Sequence, residues 1–263
     1  MLFLLTFIFL ILGLIIGSFL NVVILRYGTH KNLGGRSACM SCQNKLRWYE
    51  LIPLASFVAL KGRCAHCKTK ISAQYFLVEL IMGLIFAGLF LKFLNLFTGD
   101  ILIFAFTYAF YAMMFSLLIV IAVYDLRHKI IPDTLALVFG VLAFVGMFFF
   151  GGYGVHMHMP TMLEFLSGFI IALPFALIWL FSNGAWMGLG DAKLLLGLGW
   201  LLGISRVLSG VVIAFWSGAI IGLVLLAFSK KYGMKSEIPF APFLVLGAVI
   251  AFIFELHFFS FSY

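Results

Sequence analysis

Residues 2–25 read LFLLTFIFLILGLIIGSFLNVVIL, an unbroken apolar run with no charged side chain, closed by Arg26. A helix that crosses a bilayer needs roughly 20 mostly apolar residues, so this run is long enough. No basic region precedes it, and the first cation follows it. It therefore reads as a retained anchor with its N-terminus outside rather than as a cleaved signal. Seven further runs follow, at about 76–97, 101–124, 134–151, 163–182, 192–204, 207–228 and 243–259. The sixth is short. The whole composition agrees: 65% of the 263 residues are hydrophobic and 10% are charged, with a mean hydropathy of +1.20. A soluble domain carries about 25% charged residues, so this chain could not cover a water-facing surface. A soluble enzyme, a disordered regulator and a secreted disulfide scaffold are excluded. A β-barrel is excluded too, because the runs are continuous rather than alternating. The fold class is an all-α polytopic membrane protein with about eight transmembrane helices.

The cations orient it. The loop 26–73 holds nine Lys/Arg: Arg26, Lys31, Arg36, Lys45, Arg47, Lys61, Arg63, Lys68 and Lys70. Arg127, Lys129, Lys193, Lys230, Lys231 and Lys235 fall on the same side if eight spans alternate, leaving only Lys92 and Arg206 opposite. The rich side is the cytosolic one, which places both termini outside. The net charge of +8 is thus a topology signal with some contact to anionic lipid, not a nucleic-acid footprint.

All four cysteines stand in that cytosolic loop, as Cys39-Met-Ser-Cys42 and Cys64-Ala-His-Cys67. Two CxxC turns can present four thiolates to one zinc ion. The alternatives are two disulfides, which the reducing cytosol disfavours, or His66 replacing one cysteine. Four thiolates leave no position open for water, so the zinc is structural.

Of the nine acidic residues, Glu50, Glu79, Asp125, Asp133, Asp191 and Glu237 fall near the cytosolic face. Ionisable groups at membrane depth are functional candidates. Asp125 ends the third span, where the helix dipole disfavours a carboxylate; pairing with Arg127 or Lys129 is the structural alternative. Asp133 follows Pro132 and reads as a helix N-cap. Asp191 lies in Gly188-Leu189-Gly190-Asp191, whose glycines permit close approach of backbone, water or substrate. Two carboxylates close together share a proton. One can then activate a water while the other hydrogen-bonds the scissile carbonyl. There is no GxSxG or HExxH, and the cysteines are committed to the loop.

Together these motifs resemble the type IV prepilin peptidases, bifunctional leader peptidases and N-methyltransferases, over nearly the whole chain. The resemblance rests on Gly17-Ser18-Phe19-Leu20-Asn21-Val22-Val23 before Arg26, the double CxxC loop with Trp48-Tyr49-Glu50 and Ile52-Pro53-Leu54, and Val78-Glu79-Leu80. It continues through the Asp125 segment with Ile131-Pro132-Asp133, Gly188 to Leu194, and Glu237 to Phe243. Met40, Leu51 and Ala241 depart from the usual Pro, Asn and Gly. The resemblance implies Asp125 and Asp191 as catalytic, with Gly188, Gly190, Lys193 and Asp133 supporting. Prepilins or pseudopilins with a short basic leader would be the substrates, and S-adenosylmethionine the methyl donor. Glu50 and Glu79 are the candidates for its pocket; no GxGxxG is present. The division implied is 1–97 for the zinc loop and methylation and 98–263 for the peptidase. Rival readings are a peptidase without methylation, an ion-coupled transporter using the membrane aspartates, and an assembly scaffold. Oligomeric state is not legible.

Overall fold

The computed structural model describes residues 1–29, 34–151, 154–228, 233 and 237–259. Lys31, Lys230, Lys231 and Lys235, four positions in the charge count, lie outside the described residues. The chain divides into two compact units, Met1–Leu94 and Asn95–Tyr263.

In the first unit, α1 (Leu2–Arg26) packs on α3 (Ala73–Lys92), and the intervening loop carries a 3-10 turn (Trp48–Leu51) and the short α2 (Ala55–Ala59). The crossing is close because Gly13 and Gly17 share one face of α1, a small-xxx-small spacing. A Cβ on Gly17 would stand 2.8 Å from the Glu79 Cα, and one on Gly13 2.4 Å from the Met82 carbonyl oxygen. Asn21, fully buried, ties the two helices. Its amide donates to the carbonyls of Gly17 at 3.2 Å and Tyr75 at 3.3 Å, and its oxygen accepts from the Gln74 side chain at 3.4 Å.

After α4 (Leu94–Gly99), the second unit runs α5 (Ile101–His128), α6 (Asp133–Gly146), β1 (Phe150–Gly151), β2 (Gly154–Val155), α7 (Met162–Ser182), α8 (Leu189–Leu202), α9 (Ile204–Phe228) and α10 (Ala241–Ile253). Asp100 caps α5 by accepting from the N–H groups of Leu102 and Ile103. The core forms where α5 meets α6 and α10 and where α8 meets α6 and α7. Phe115, Leu118, Phe139, Leu194, Leu195 and Phe252 fill it. The outer faces carry exposed Leu4, Phe106, Leu137, Leu173, Ile220 and Leu223, a surface that water would not tolerate and lipid does.

A helix stands at each of the eight expected segments, and five of them are long and apolar enough to cross a membrane: α1, α3, α5, α7 and α9. The other three, α6, α8 and α10, have 14, 14 and 13 residues. At 1.5 Å per residue that is about 20 Å, shorter than the roughly 30 Å hydrocarbon layer. Several ends differ from expectation, because hydropathy reports apolar content and not where helical hydrogen bonding stops. The second run breaks at Phe93 into α3 and α4. The fourth stops at Gly146, where 3-10 bonds tighten the last turn and the chain enters a two-strand antiparallel hairpin. That hairpin also corrects a wholly helical reading. The eighth stops at Ile253, and the Ser209 hydroxyl accepts from the Phe258 N–H at 2.9 Å, holding the tail on α9. Gly203, at φ 75°, separates α8 from α9, so Arg206 belongs to α9.

Packing at the α1–α3 crossing predicts that Gly17→Val lowers the thermal midpoint of the detergent-solubilised protein, by overpacking worth about 1–3 kcal/mol. Gly140→Ala in α6, where an added Cβ meets nothing within 4 Å, holds or raises it, since glycine within a helix costs roughly 0.5–1 kcal/mol. A midpoint unchanged by Gly17→Val counts against the crossing.

Candidate metal centre and candidate active site

The cysteine loop is built from two copies of one local fold. In the first, Cys39 N–H donates to Asn44 O and Gln43 N–H to Cys39 O; in the second, Cys64 N–H donates to Thr69 O and Lys68 N–H to Cys64 O. The flanking bridges match as well, Ala38 with Lys45 and Arg63 with Lys70. Gln43 and Lys68 both take positive φ, at 57° and 58°. An offset of 25 positions superimposes Cys39 on Cys64, Cys42 on Cys67, Lys45 on Lys70 and Leu46 on Ile71. No repeat was expected from sequence. Only the cysteines, one lysine and an aliphatic position are shared, and the likeness lies in the backbone.

The four Sγ atoms lie within 4.8 Å of one another, and all four cysteines are free thiols. Cys39 Sγ and Cys67 Sγ are 3.8 Å apart, far beyond a disulfide bond. Four sulfurs at about 2.3 Å from a central ion stand about 3.8 Å apart along each edge of the tetrahedron. The donor set and its spacing therefore fit zinc. His66 is exposed and outside the cluster. The Thr69 hydroxyl, 3.2 Å away, and the Thr69 backbone hold the Cys67 thiol down at about 6, while desolvation and the neighbouring thiols push Cys42 up to about 11, so the thiols share protons that a metal would displace.

Glu50 and Glu79, 8% and 7% exposed, organise the stretch that follows the first ribbon. Glu50 accepts from the Arg47 N–H at 2.7 Å and Glu79 from the Leu54 N–H at 2.9 Å. Leu54, at φ 58° and ψ −50°, is the centre of a γ-turn closed by Ala55 N–H to Pro53 O. A positive-φ γ-turn is rare and strained, and the buried Glu79 holds it. Ser18 of α1 also bonds Glu79. Sequence alone gave no sign of the turn, because the position is leucine rather than glycine.

In the second unit, Asp125 lies in the last turns of α5 and Asp191 in the first turn of α8, 5% and 8% exposed. They are close enough to sense each other's charge. Among the described residues neither forms an ion pair, so Arg127 and Lys129 do not neutralise Asp125. Each is held by backbone instead. Asp125 lies by the Ala241 N–H at the start of α10. Asp191 lies by the Gly188 N–H and donates its own N–H to the Gly188 carbonyl at 3.3 Å.

Two ties bring these turns together. Gly190 lies against Ile131, where a Cβ would stand 2.8 Å from the Ile131 Cβ. Lys193 donates to Asp133 at 2.6 Å, with side chains 43% and 74% exposed. The N-cap of α6 is Pro132 rather than Asp133, and Asp133 is the first helical residue, facing Lys193 instead of the backbone. The Ala241 contact escaped sequence reasoning. Its donor is main chain, which leaves no mark on residue type.

A family model described as the Bacterial Peptidase A24 N-terminal domain matches residues 11–93, and one described as the Type IV leader peptidase family matches 112–225. Together with the buried acids and apolar helices, these matches define the class as a leader-peptidase-type membrane enzyme. The chain belongs to the prepilin leader peptidase/N-methyltransferase family. Proteins of that name share 32% identity with it in Myxococcus xanthus (86% of this chain, 65% of that longer protein), 30% in Burkholderia pseudomallei (95% and 85%) and 29% in Vibrio cholerae (93% and 94%). No solved structure matches it.

The cluster predicts one zinc per purified chain. Cys64→Ser, which removes the most buried of the four thiols, abolishes that stoichiometry and unfolds the loop, since zinc contributes about 10–16 kcal/mol to finger peptides. Elemental analysis and limited proteolysis check both outcomes; metal-free wild-type protein would remove the site.

Proposed function

We propose that this chain carries out the family's two reactions in its two units, leader hydrolysis in the second and N-methylation in the first. The observation that carries the hydrolytic half is the pairing of Asp125 with Asp191, two buried carboxylates from separate helices that sense each other's charge and, among the described residues, form no ion pair. One carboxylate takes a proton from water while the other, protonated, donates to the scissile carbonyl. The tetrahedral intermediate collapses as the proton passes to the leaving amine. Gly190 and the Lys193–Asp133 pair are positioning elements: they set the distance between the loops that bear the acids. A pair this exposed is worth at most about 1 kcal/mol, so it tunes the arrangement rather than creating it.

The substrate reading is a prepilin or pseudopilin whose short basic leader stays in the cytosol while its apolar helix lies in the bilayer. All eight helices cross in this reading, the three short ones with tilt or local thinning. Both termini are periplasmic, and the lysine- and arginine-rich loops are cytosolic. Asp125 and Asp191, at the ends of their helices, then meet the peptide where it enters the membrane.

For methylation, S-adenosylmethionine would supply a methyl group to the new N-terminal amine. Its sulfonium and ammonium suit a site bearing buried carboxylates, and Glu50 and Glu79 are the two that the first unit offers. They shape the Arg47–Leu54 stretch, while the zinc ribbons fix the chain that precedes and follows it.

The test is co-expression with a candidate prepilin and mass spectrometry of the mature N-terminus. Asp125→Asn and Asp191→Asn each lower cleavage by roughly 10²-fold or more at normal abundance of the enzyme. Cleavage retained in both rejects the aspartyl mechanism. Lys193→Met leaves cleavage within about tenfold of wild type. Glu79→Gln lowers methylation while cleavage persists, and loss of both together would reject the division between units.

A further inference from the structure

The sequence His156-Met157-His158-Met159-Pro160-Thr161-Met162 has no part in either reaction. It lies between β2 and the first residue of α7, within the second unit. We propose that His156 and His158, joined by one methionine thioether from this segment, form a binding site for a soft monovalent metal ion, Cu(I).

The two imidazoles are already placed for one ion. Their ring centroids are 5.0 Å apart. Two histidines on one metal, each with nitrogen about 2.0 Å from it and meeting at a tetrahedral angle, bring their centroids to about 5.2 Å. The tautomers agree as well. His156 Nδ1 lies 3.2 Å from the Gly154 carbonyl, and His158 Nδ1 lies 3.4 Å from the His156 carbonyl. A carbonyl only accepts, so each Nδ1 carries the proton and each Nε2 keeps its lone pair. This is the outer-sphere arrangement that orients metal-binding histidines.

The backbone beneath them is fixed. The hairpin register of Phe150 with Val155 extends to His156, whose N–H donates to Phe149 O at 3.0 Å; after a one-residue slip, His158 N–H donates to Phe148 O at 3.1 Å. Phe150 stacks on Phe110 of α5 with centroids 3.9 Å apart. Gly154 sits against Ile103, so close that a Cβ would come within 2.6 Å. The histidines therefore stand on a ribbon pinned to a long helix, and little ordering remains for the ion to impose.

The methionines choose the metal. Met157, Met159 and Met162 are 81%, 85% and 79% exposed, so these three long apolar side chains have no core to fill. Thioether is a soft, neutral donor that favours Cu(I), whereas zinc, calcium and magnesium do not select it. The nearest carboxylate in sequence, Glu164, is occupied in a capping box with Thr161, and Asp100 caps α5. Two neutral imidazoles and a thioether suit an ion of single charge.

The experiment uses the full-length protein in detergent, its cysteine cluster loaded with zinc, titrated anaerobically with Cu(I) against the chromophoric chelator bicinchoninate. Wild type takes up one equivalent more than the His156→Ala/His158→Ala variant. X-ray absorption of that copper shows two nitrogen neighbours and one sulfur. The Met157→Leu/Met159→Leu/Met162→Leu variant binds Cu(I) at least tenfold more weakly. Retained prepilin cleavage verifies that both variants fold. Equal copper uptake by wild type and the histidine variant overturns the site, as does a sulfur-only spectrum, which would place the copper in the cysteine cluster. Undiminished affinity in the methionine variant overturns the soft-metal assignment.

Discussion

A carboxylate buried at the end of an apolar helix is costly unless something offsets its charge, and the second unit of this protein carries two. The offset is partial, since burial outweighs it, and it comes from main chain. Asp125 closes α5, whose dipole repels it, but α10 begins at the same place and presents the Ala241 N–H to it. The positive end of one helix thus answers the negative end of another. Asp191 is held by the Gly188–Asp191 turn in the same manner. A lysine or arginine would neutralise either acid more fully. It would also remove the ability to exchange a proton with water, on which the proposed hydrolysis depends.

The first unit solves a different problem. Its loop is polar, short of core residues and anchored at both ends by helices. Two CxxC ribbons of the same backbone design converge their thiols, and a metal held there would supply the cohesion that a hydrophobic core gives elsewhere. Downstream, Glu50 and Glu79 secure the backbone between the ribbons, including a strained turn at Leu54. Strain of this kind persists only where its surroundings over-determine it. Both carboxylates are already engaged by backbone N–H groups, so in the proposed methylation they would give the pocket its form as well as its charge.

Much of this was legible in the residues. The apolar runs located eight of the ten α-helices among the described residues, because an apolar stretch of that length has few other stable states. The CxxC pairs identified the cluster, since thiol spacing is a covalent property of the chain. The Asp125 and Asp191 motifs marked the acids. Helix ends were less legible. Phe148, Phe149 and Phe150 look as apolar as the helix before them, yet they leave it to form a hairpin, a choice made by pairing with residues 155–158 and not by hydropathy. Asp133 misled for a related reason. Its position after Pro132 suits a cap, but the helix begins one residue earlier than that reading needs, and the carboxylate faces Lys193, sixty residues on.

The sequence by itself determined that this is a polytopic helical membrane protein with its four cysteines in one loop, and it supplied the side proposed for its cations and the acids proposed for its chemistry. These follow from composition, charge and covalent spacing, all properties of the chain in any conformation. Only the tertiary structure decided that Asp125 meets the Ala241 N–H, that the two ribbons repeat one another, that Leu54 is strained and that two imidazoles share a face. Those contacts are made by backbone groups identical in every residue, or by side chains far apart in sequence, so no pattern of residue types could announce them.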